Sequence, residues 1–302
     1  MDKQQLYSNL NEGILAERLA AFERNLRKNL SFIKQYGGLK RILPDFEGKT
    51  AVVIGAGPSL ETQFDVLRKY QHRREVVYIA ADMALRPLVK FGIRPRYVFS
   101  CETIPVDFFG SIDTERMHLI AFTCMSNINL RRWRGDVSFY NWMIQGIHYD
   151  RLWQKAGIDL GFVATGNLVS TQAVAFALGC GINELILVGN DLGYSDRYYV
   201  RESVIYCNNC ARINRYASLD TFEMNSSRRG MEYRLNRGIK SFYTTSQFLA
   251  GKFWLEDLFK SGKFKVYDAS NPGCSEKYVA KIELKDFFYS LEKRRKRKRR
   301  RA

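Results

Sequence analysis

Two features of this 302-residue sequence predict an α/β fold built on a mainly parallel sheet. Short apolar, β-branched runs alternate with helical stretches from Thr50 onward, a pattern that requires crossover connections. The runs also stop at glycines or short polar residues, as strands do when they end at the rim of a ligand crevice. The expectation is a Rossmann-like sheet flanked by helices, preceded by an amphipathic helix and followed by a basic tail.

Residues 2–36 place Leu6, Leu10, Ile14, Leu15, Leu19, Phe22, Leu26, Leu30 and Ile33 at three- and four-residue spacing, the apolar stripe of one helix. Gly37-Gly38 breaks that pattern within a lead-in assigned to residues 1–44, and the main domain is assigned to residues 45–285. Its first strand, "AVVIGA", runs into Gly55-Ala56-Gly57-Pro58-Ser59 and the helical "LETQFDVLRKY". "VVYIAA" precedes the helix "MALRPLVKFG", and "YVFSCE", "HLIAFT" and "VSFYNW" read as further strands. "VSTQAVAFALGCG" is a helix and "LILVGND" a strand. "NRGIKSFYTTSQFLAGKFWLEDLFKSG" is a short strand or loop and then a helix capped near Thr244 to Ser246, with core aromatics. "FKVYDASNPG" adds a last strand ending at Asp268, Ser270 and Asn271.

The formal charge is +17, of which the nine consecutive cations Lys293 to Arg301 carry more than half. Like charges repel along such a run, so residues 286–302 are expected to form a disordered or fraying helical end that meets an anionic partner or only solvent. With 46% hydrophobic residues the rest can bury a core. No run reaches the roughly 18 apolar residues of a membrane span, and "MDKQQLYSNL" lacks the pattern of a signal peptide, so a soluble cytoplasmic protein is expected. The six cysteines include one C-x-x-C, Cys207 and Cys210, with no second pair spaced for zinc, which favours reduced thiols and no metal site.

The strand ends supply the site candidates. Gly55, Gly57, Pro58 and Ser59 form a turn whose free amides suit a phosphate, although a tight turn without ligand fits the same residues. Thr165, Gly166 and Asn167 precede a second helix, and its N-terminus also suits an anion. Asp82 either accepts hydrogen bonds from a sugar or base or caps a helix, and Asn127 and Asn190 stand at further strand ends. Glu102 and Asp191 are carboxylates at the ends of apolar strands, costly to bury without a partner. After Asp191, "GNDLGYSDRYYVRES" gathers Tyr194, Asp196, Arg197, Tyr198, Tyr199 and Arg201 in one loop fit to order around a charged ligand.

"GAGPSL", "GIRPRYVFSCE", "TGNLVSTQAVAFALGCGINELILVGNDLGYSDRYYVRES", "YTTSQFLAGKFWLEDL" and "KVYDASNPG" resemble, in order and spacing, the motility accessory factor (Maf) flagellin glycosyltransferases. They are similar also to the wider domain family that includes the archaeal 6-hydroxymethylpterin diphosphokinases (MptE-like). The Maf resemblance implies transfer of a nonulosonic, sialic-like sugar from a CMP donor to a protein such as flagellin, or to a glycan. The diphosphokinase resemblance implies diphosphate transfer from ATP with magnesium, and a catalytically silent nucleotide-binding module is the third alternative. The Asp-rich "DLDG" of the diphosphokinases is missing after "YVFSCE", which weakens the magnesium branch, and Glu102 stands where many Maf-like members show Asp. The large regions flanking this domain in flagellin-modifying proteins are missing from this sequence, so acceptor recognition stays open. On this resemblance Asp191 and Glu102 are the catalytic candidates. The glycine turn, Asp82, Asn127, the Thr165–Asn167 turn and Asn190 would hold the nucleotide, and Tyr194, Arg197, Tyr199 and Arg201 the leaving group or acceptor. No cofactor other than magnesium is implied.

Overall fold

The computed structural model describes residues 3–195, 197–219, 221–222, 233–237, 240–261 and 263–299. The apolar runs form β1 (Thr50–Ile54), β2 (Val76–Ala81), β3 (Tyr97–Ser100), β4 (His118–Phe122), β5 (Asp136–Trp142) and β6 (Phe162–Val163). They continue with β7 (Glu184–Val188), the hairpin strands β8 (Tyr233–Arg237) and β9 (Lys240–Thr244), then β10 (Lys265–Asp268) and β11 (Ala280–Lys281). Nine of these make one sheet in the order β11-β10-β7-β1-β2-β3-β4-β5-β6, and every neighbouring pair is parallel. Continuous burial of β1, β2, β3, β4 and β7 explains why they read as unbroken apolar runs. The two-residue strands β6 and β11 are too short to show a pattern, and the segment read as a short strand or loop is the hairpin strand β9.

Alternate residues of the central strands face two helical layers. Ala51, Val53, Val77 and Ile79 point into one core and Val52, Ile54, Tyr78 and Ala80 into the other. The first core is covered by α1 (Lys3–Tyr36), α4 (Asn127–Arg132), α5 (Ile147–Ala156), α6 (Val169–Gly179) and α8 (Ser246–Phe259). The second lies under α2 (Phe64–Tyr70), α3 (Asp82–Lys90) and α9 (Leu284–Arg299), while α7 (Val204–Cys210) carries both cysteines of the C-x-x-C. No helix among the described residues is long and apolar enough to cross a membrane.

The helix α1 shares the core of the main domain. Phe22 is fully buried, with its ring edge-on to Phe122 and Trp142 at 5.7 and 5.6 Å. Two asparagines one turn apart then tie α1 to the ends of β3 and β4. Asn25 donates to the carbonyls of Thr103 and Cys124 at 2.9 and 3.1 Å, and Asn29 to those of Thr123 and Met125 at 3.0 and 2.9 Å. The Asn29 carbonyl in turn accepts from Asn127 at 2.9 Å. Polar residues in this apolar stripe are therefore the struts that hold the helix at the strand ends.

Of the two expectations for the tail, the helical one holds for its first part, which also packs on the body. Residues 284–299 are helical, Phe287 and Phe288 are buried, and Phe288 stacks on Tyr70 at 4.5 Å. Arg294, the second cation of the basic run, reaches the buried Glu184 carboxylate at 2.8 Å, and residues 300–302 lie outside the described set. A carboxylate buried at the start of β7 needs this partner, which recruits the beginning of the run into the fold.

Asn29→Ala leaves two buried carbonyls and the Asn127 amide without their partner. It is expected to lower unfolding stability by about 2–4 kcal/mol in a urea titration. A loss below about 0.5 kcal/mol would show that the asparagine struts do not hold α1.

Candidate functional site

The chain leaves β1 to build one half of the sheet and returns to β7 for the other, so β1 and β7 flank the point where strand order reverses. Open α/β sheets bind their ligands at the carboxyl ends of the strands beside such a point. A cavity of ≈ 290 Å³ lies there, walled by the turns after β1 and β7, the ends of β2 and β3, the entry to α6, and Ile14 and Arg18 of α1.

The two central turns interlock. The Gly55 N–H donates to the Val188 carbonyl and the Gly57 N–H to that of Gly189, both at 2.8 Å. A Cβ on Gly57 would stand 2.4 Å from the Asp191 carboxyl carbon, so only glycine admits this approach. Asp191 accepts from the Ser59 N–H at 2.9 Å, from the Ser59 hydroxyl, and from the Asn271 N–H at 3.3 Å. The sequence reading gave the glycine-turn donors to a phosphate; the structure gives the Ser59 donors to a carboxylate of the chain itself. Pro58 has no N–H, and neither Pro58 nor Ser59 lines the cavity. Asn190 is pinned by its side-chain amide to the carbonyls of Val53 and Val188 at 2.9 and 3.1 Å, and its own carbonyl oxygen is buried with no hydrogen-bond partner.

A second acidic cluster faces the cavity from β2 and β3. Asp82, the first residue of α3, accepts from the Met83 N–H at 2.8 Å and the Ser100 hydroxyl at 2.7 Å. Glu102 accepts through one oxygen from the Thr103 and Ile104 N–H groups at 2.8 and 3.1 Å and from Arg18 at 3.0 Å. Its other oxygen has no partner among the described residues. Burial pushes Asp82 up to about 7 against the pull of its two hydrogen bonds, and the nearby Glu102 charge adds to the rise. Burial likewise raises Asp191 to about 7, against its bonds to Ser59 and Asn271. Tyr199 is raised to about 12, by burial first and then by Asp82.

The α6 side is less open to an anion than its sequence suggested. The Gly166 N–H goes to the Thr171 hydroxyl at 2.9 Å and the Asn167 N–H to that of Thr165 at 3.1 Å. Gly166 packs against Trp254, so Thr165 and Asn167 line the cavity and Gly166 does not. Gln172 is buried one turn into α6. Its carbonyl accepts from Tyr140 and from Trp142 at 3.1 Å, which turns its amide toward Cys101, 3.4 Å away, and the cavity.

Of the residues singled out in the sequence, Gly55, Gly57, Asp82, Glu102, Thr165, Asn167, Asn190, Asp191, Tyr198 and Tyr199 meet at the cavity. Asn127 does not, because its amide is spent on Asn29. Tyr194 is buried and its backbone pairs with Tyr243. Arg197 is held by Glu61 at 2.8 Å and the Arg201 N–H donates to the same carboxylate, also at 2.8 Å, while Asp196 lies outside the described residues. Arg18, Gln172 and Phe248 were missed. Gln172 had a signal, a lone amide inside an apolar helix; Arg18 had none, since it reads as the polar face of α1. Among the described residues no group of three or more His, Cys, Asp or Glu side chains is gathered as a metal site.

A family model described as 6-hydroxymethylpterin diphosphokinase MptE-like matches residues 24–197, from within α1 to the loop after β7. The chain belongs to this MptE-like family. Among solved structures, this family member resembles a Maf glycosyltransferase from Magnetospirillum magneticum AMB-1 with a TM-score of 0.53 and 17% identity. The match covers 79% of this chain and 34% of that one, so the MptE-like chain shares its fold over about a third of the larger protein. Comparison with curated proteins finds no match.

The elevated Asp82 has a consequence for stability. Unfolded, its carboxyl titrates near the ordinary value of about 3.9; folded, near 7. Between those values the folded state holds a proton that the unfolded state has lost, so this stabilisation is full below about pH 4 and gone above pH 7. Asp82→Asn keeps the bonds to Met83 and Ser100 without the charge. Its melting temperature is expected to rise relative to the unsubstituted protein between pH 5 and pH 8, and a difference that does not vary with pH would place the Asp82 carboxyl at its ordinary value.

Proposed function

We propose that this protein is a glycosyltransferase that moves a nonulosonic, sialic-like sugar from a CMP donor to a hydroxyl of a protein acceptor such as flagellin, or of a glycan. Family membership and the fold shared with a Maf glycosyltransferase support a transferase. The observation that carries the reading is the pairing of Asp82 and Glu102 on one wall of the cavity, with Asp82 titrating near neutrality. A carboxylate of that basicity is matched to accept the proton of an acceptor hydroxyl. As that proton moves to Asp82 or Glu102, the hydroxyl oxygen bonds the anomeric carbon, and the bond to the phosphate oxygen breaks with its electrons leaving on CMP.

The departing phosphate needs donors. Tyr194, Arg197 and Arg201 do not line the cavity, and the Arg197 guanidinium is held by Glu61, so the part falls to Arg18, the one cation among the described cavity residues, and to the Gln172 amide. Asp191 then serves as organiser of the glycine turn rather than as the base. A second reading, diphosphate transfer from ATP, has the family description and the same carboxylate pair in its favour. The mutual repulsion of Asp82 and Glu102 and the unpartnered Glu102 oxygen fit a magnesium ion, which would neutralise diphosphate charge there.

Thermal shift with CMP, CMP-sialic-type sugars, UDP-sugars, ATP and GTP, each with and without magnesium, separates the two. Stabilisation by CMP or a CMP-sugar that survives chelation is expected, and Gly57→Val should abolish it by unseating Asp191. Stabilisation by ATP or GTP only with magnesium would transfer the assignment to the diphosphokinase reading, and none with any nucleotide would remove both. Where transfer is measured, Glu102→Gln and Asp82→Asn are each expected to lower kcat by about 10²–10⁴.

A further inference from the structure

The parallel sheet gives the molecule two unlike edges. The strands end at the cavity, and every strand of the sheet begins on the opposite edge. The helix α9 runs back from the cavity side and reaches that opposite edge at its C-terminal half, where Glu292 pairs with Arg73 just before β2 and Arg294 with Glu184 at the start of β7. The helix therefore carries residues 295–299 of the basic run to the side away from the cavity. Other cations stand there. Arg74 precedes β2 on the same edge, and Lys263 and Lys265 enter β10; all three are exposed and make no ion pair among the described residues. Between those lysines Phe264 is 37% exposed, and Tyr289 on α9 is 55% exposed with the Lys293 ammonium 4.4 Å from its ring centre.

We propose that this edge is a peripheral docking surface for an anionic lipid bilayer. A polybasic segment draws a protein to anionic headgroups, and aromatic side chains set among the cations enter the interface and hold it there. A nucleic-acid duplex would use the same cations but offers Phe264 no apolar layer to enter, and a single strand, whose bases can stack on aromatic rings, is distinguished by the experiment below. Docked this way, the protein turns the mouth of its cavity away from the lipid and toward the aqueous phase, where a water-soluble acceptor can reach it. This inference does not depend on the reaction performed in the cavity.

Cosedimentation of the full chain with vesicles of phosphatidylcholine alone and with about one-third phosphatidylglycerol tests it. Binding to the anionic vesicles only is expected, with partition falling steeply between about 0.1 and 0.5 M salt. Truncation after Arg294, which keeps the Glu184 ion pair, and the double variant Lys263→Glu/Lys265→Glu should each lower partition at least about tenfold while leaving the melting temperature unchanged. Phe264→Ser should weaken binding without altering its salt dependence. Equal binding to neutral vesicles, no binding to anionic ones, or unchanged partition of both charge variants would overturn the proposal. A short single-stranded RNA that binds more tightly than the vesicles and displaces the protein from them would overturn it in favour of a nucleic-acid partner.

Discussion

The contact on which this structure depends is the seating of the Asp191 carboxylate against the glycine turn. It joins the ends of two adjacent strands that lie far apart in the sequence, and it works only because Gly57 has no side chain in the way. The same carboxylate takes the Asn271 amide, while its backbone carbonyl takes the Gly273 N–H at 2.7 Å, so the loop after β10 is fastened to the same point. That loop is stiffened from behind. Asp268 accepts from the Ser270 and Cys274 N–H groups and from Lys281, at 2.8, 2.9 and 2.7 Å. Three turns are thus fixed by two buried acids, and one wall of the cavity is rigid before any ligand arrives.

The cavity is unusual in its charge. Asp82, Glu102 and Asp191 face Arg18 as the one cation among its described lining residues. Burial holds two of the three acids near neutrality, which lowers the repulsion an incoming phosphate would meet. Ligand binding and proton uptake are therefore coupled in this pocket: a bound anion favours the neutral carboxyls, and a bound cation favours their ionised forms.

Much of this architecture was legible in the sequence because strands buried on both faces leave unbroken apolar runs, and the residues that close those runs must stand at one rim. That logic located Asp82, Glu102, Asn190 and Asp191. It could not say what each polar group would meet. Asn127 and Arg197 had the right chemistry for a ligand, yet their partners are Asn29 and Glu61, 98 and 136 positions away. The phosphate reading of the glycine turn met the same limit, since the acid that occupies the Ser59 donors lies 132 residues downstream. The lead-in helix looked separate because its amphipathic stripe says only that it packs, while the struts that place it, Asn25 and Asn29, read as ordinary polar residues.

The strand order also bears on how the chain reaches its native state. β1 finds β2 soon after it is made, but its other neighbour, β7, arrives only after the four further strands β3 to β6. Until then a fully buried central strand of the sheet carries an open hydrogen-bonding edge, and the loop closed by its pairing with β7 is the longest in the sheet core. Assembly of the crevice is consequently a late, long-range event in folding, and a growing chain must keep the centre of its sheet from pairing elsewhere before the two halves meet.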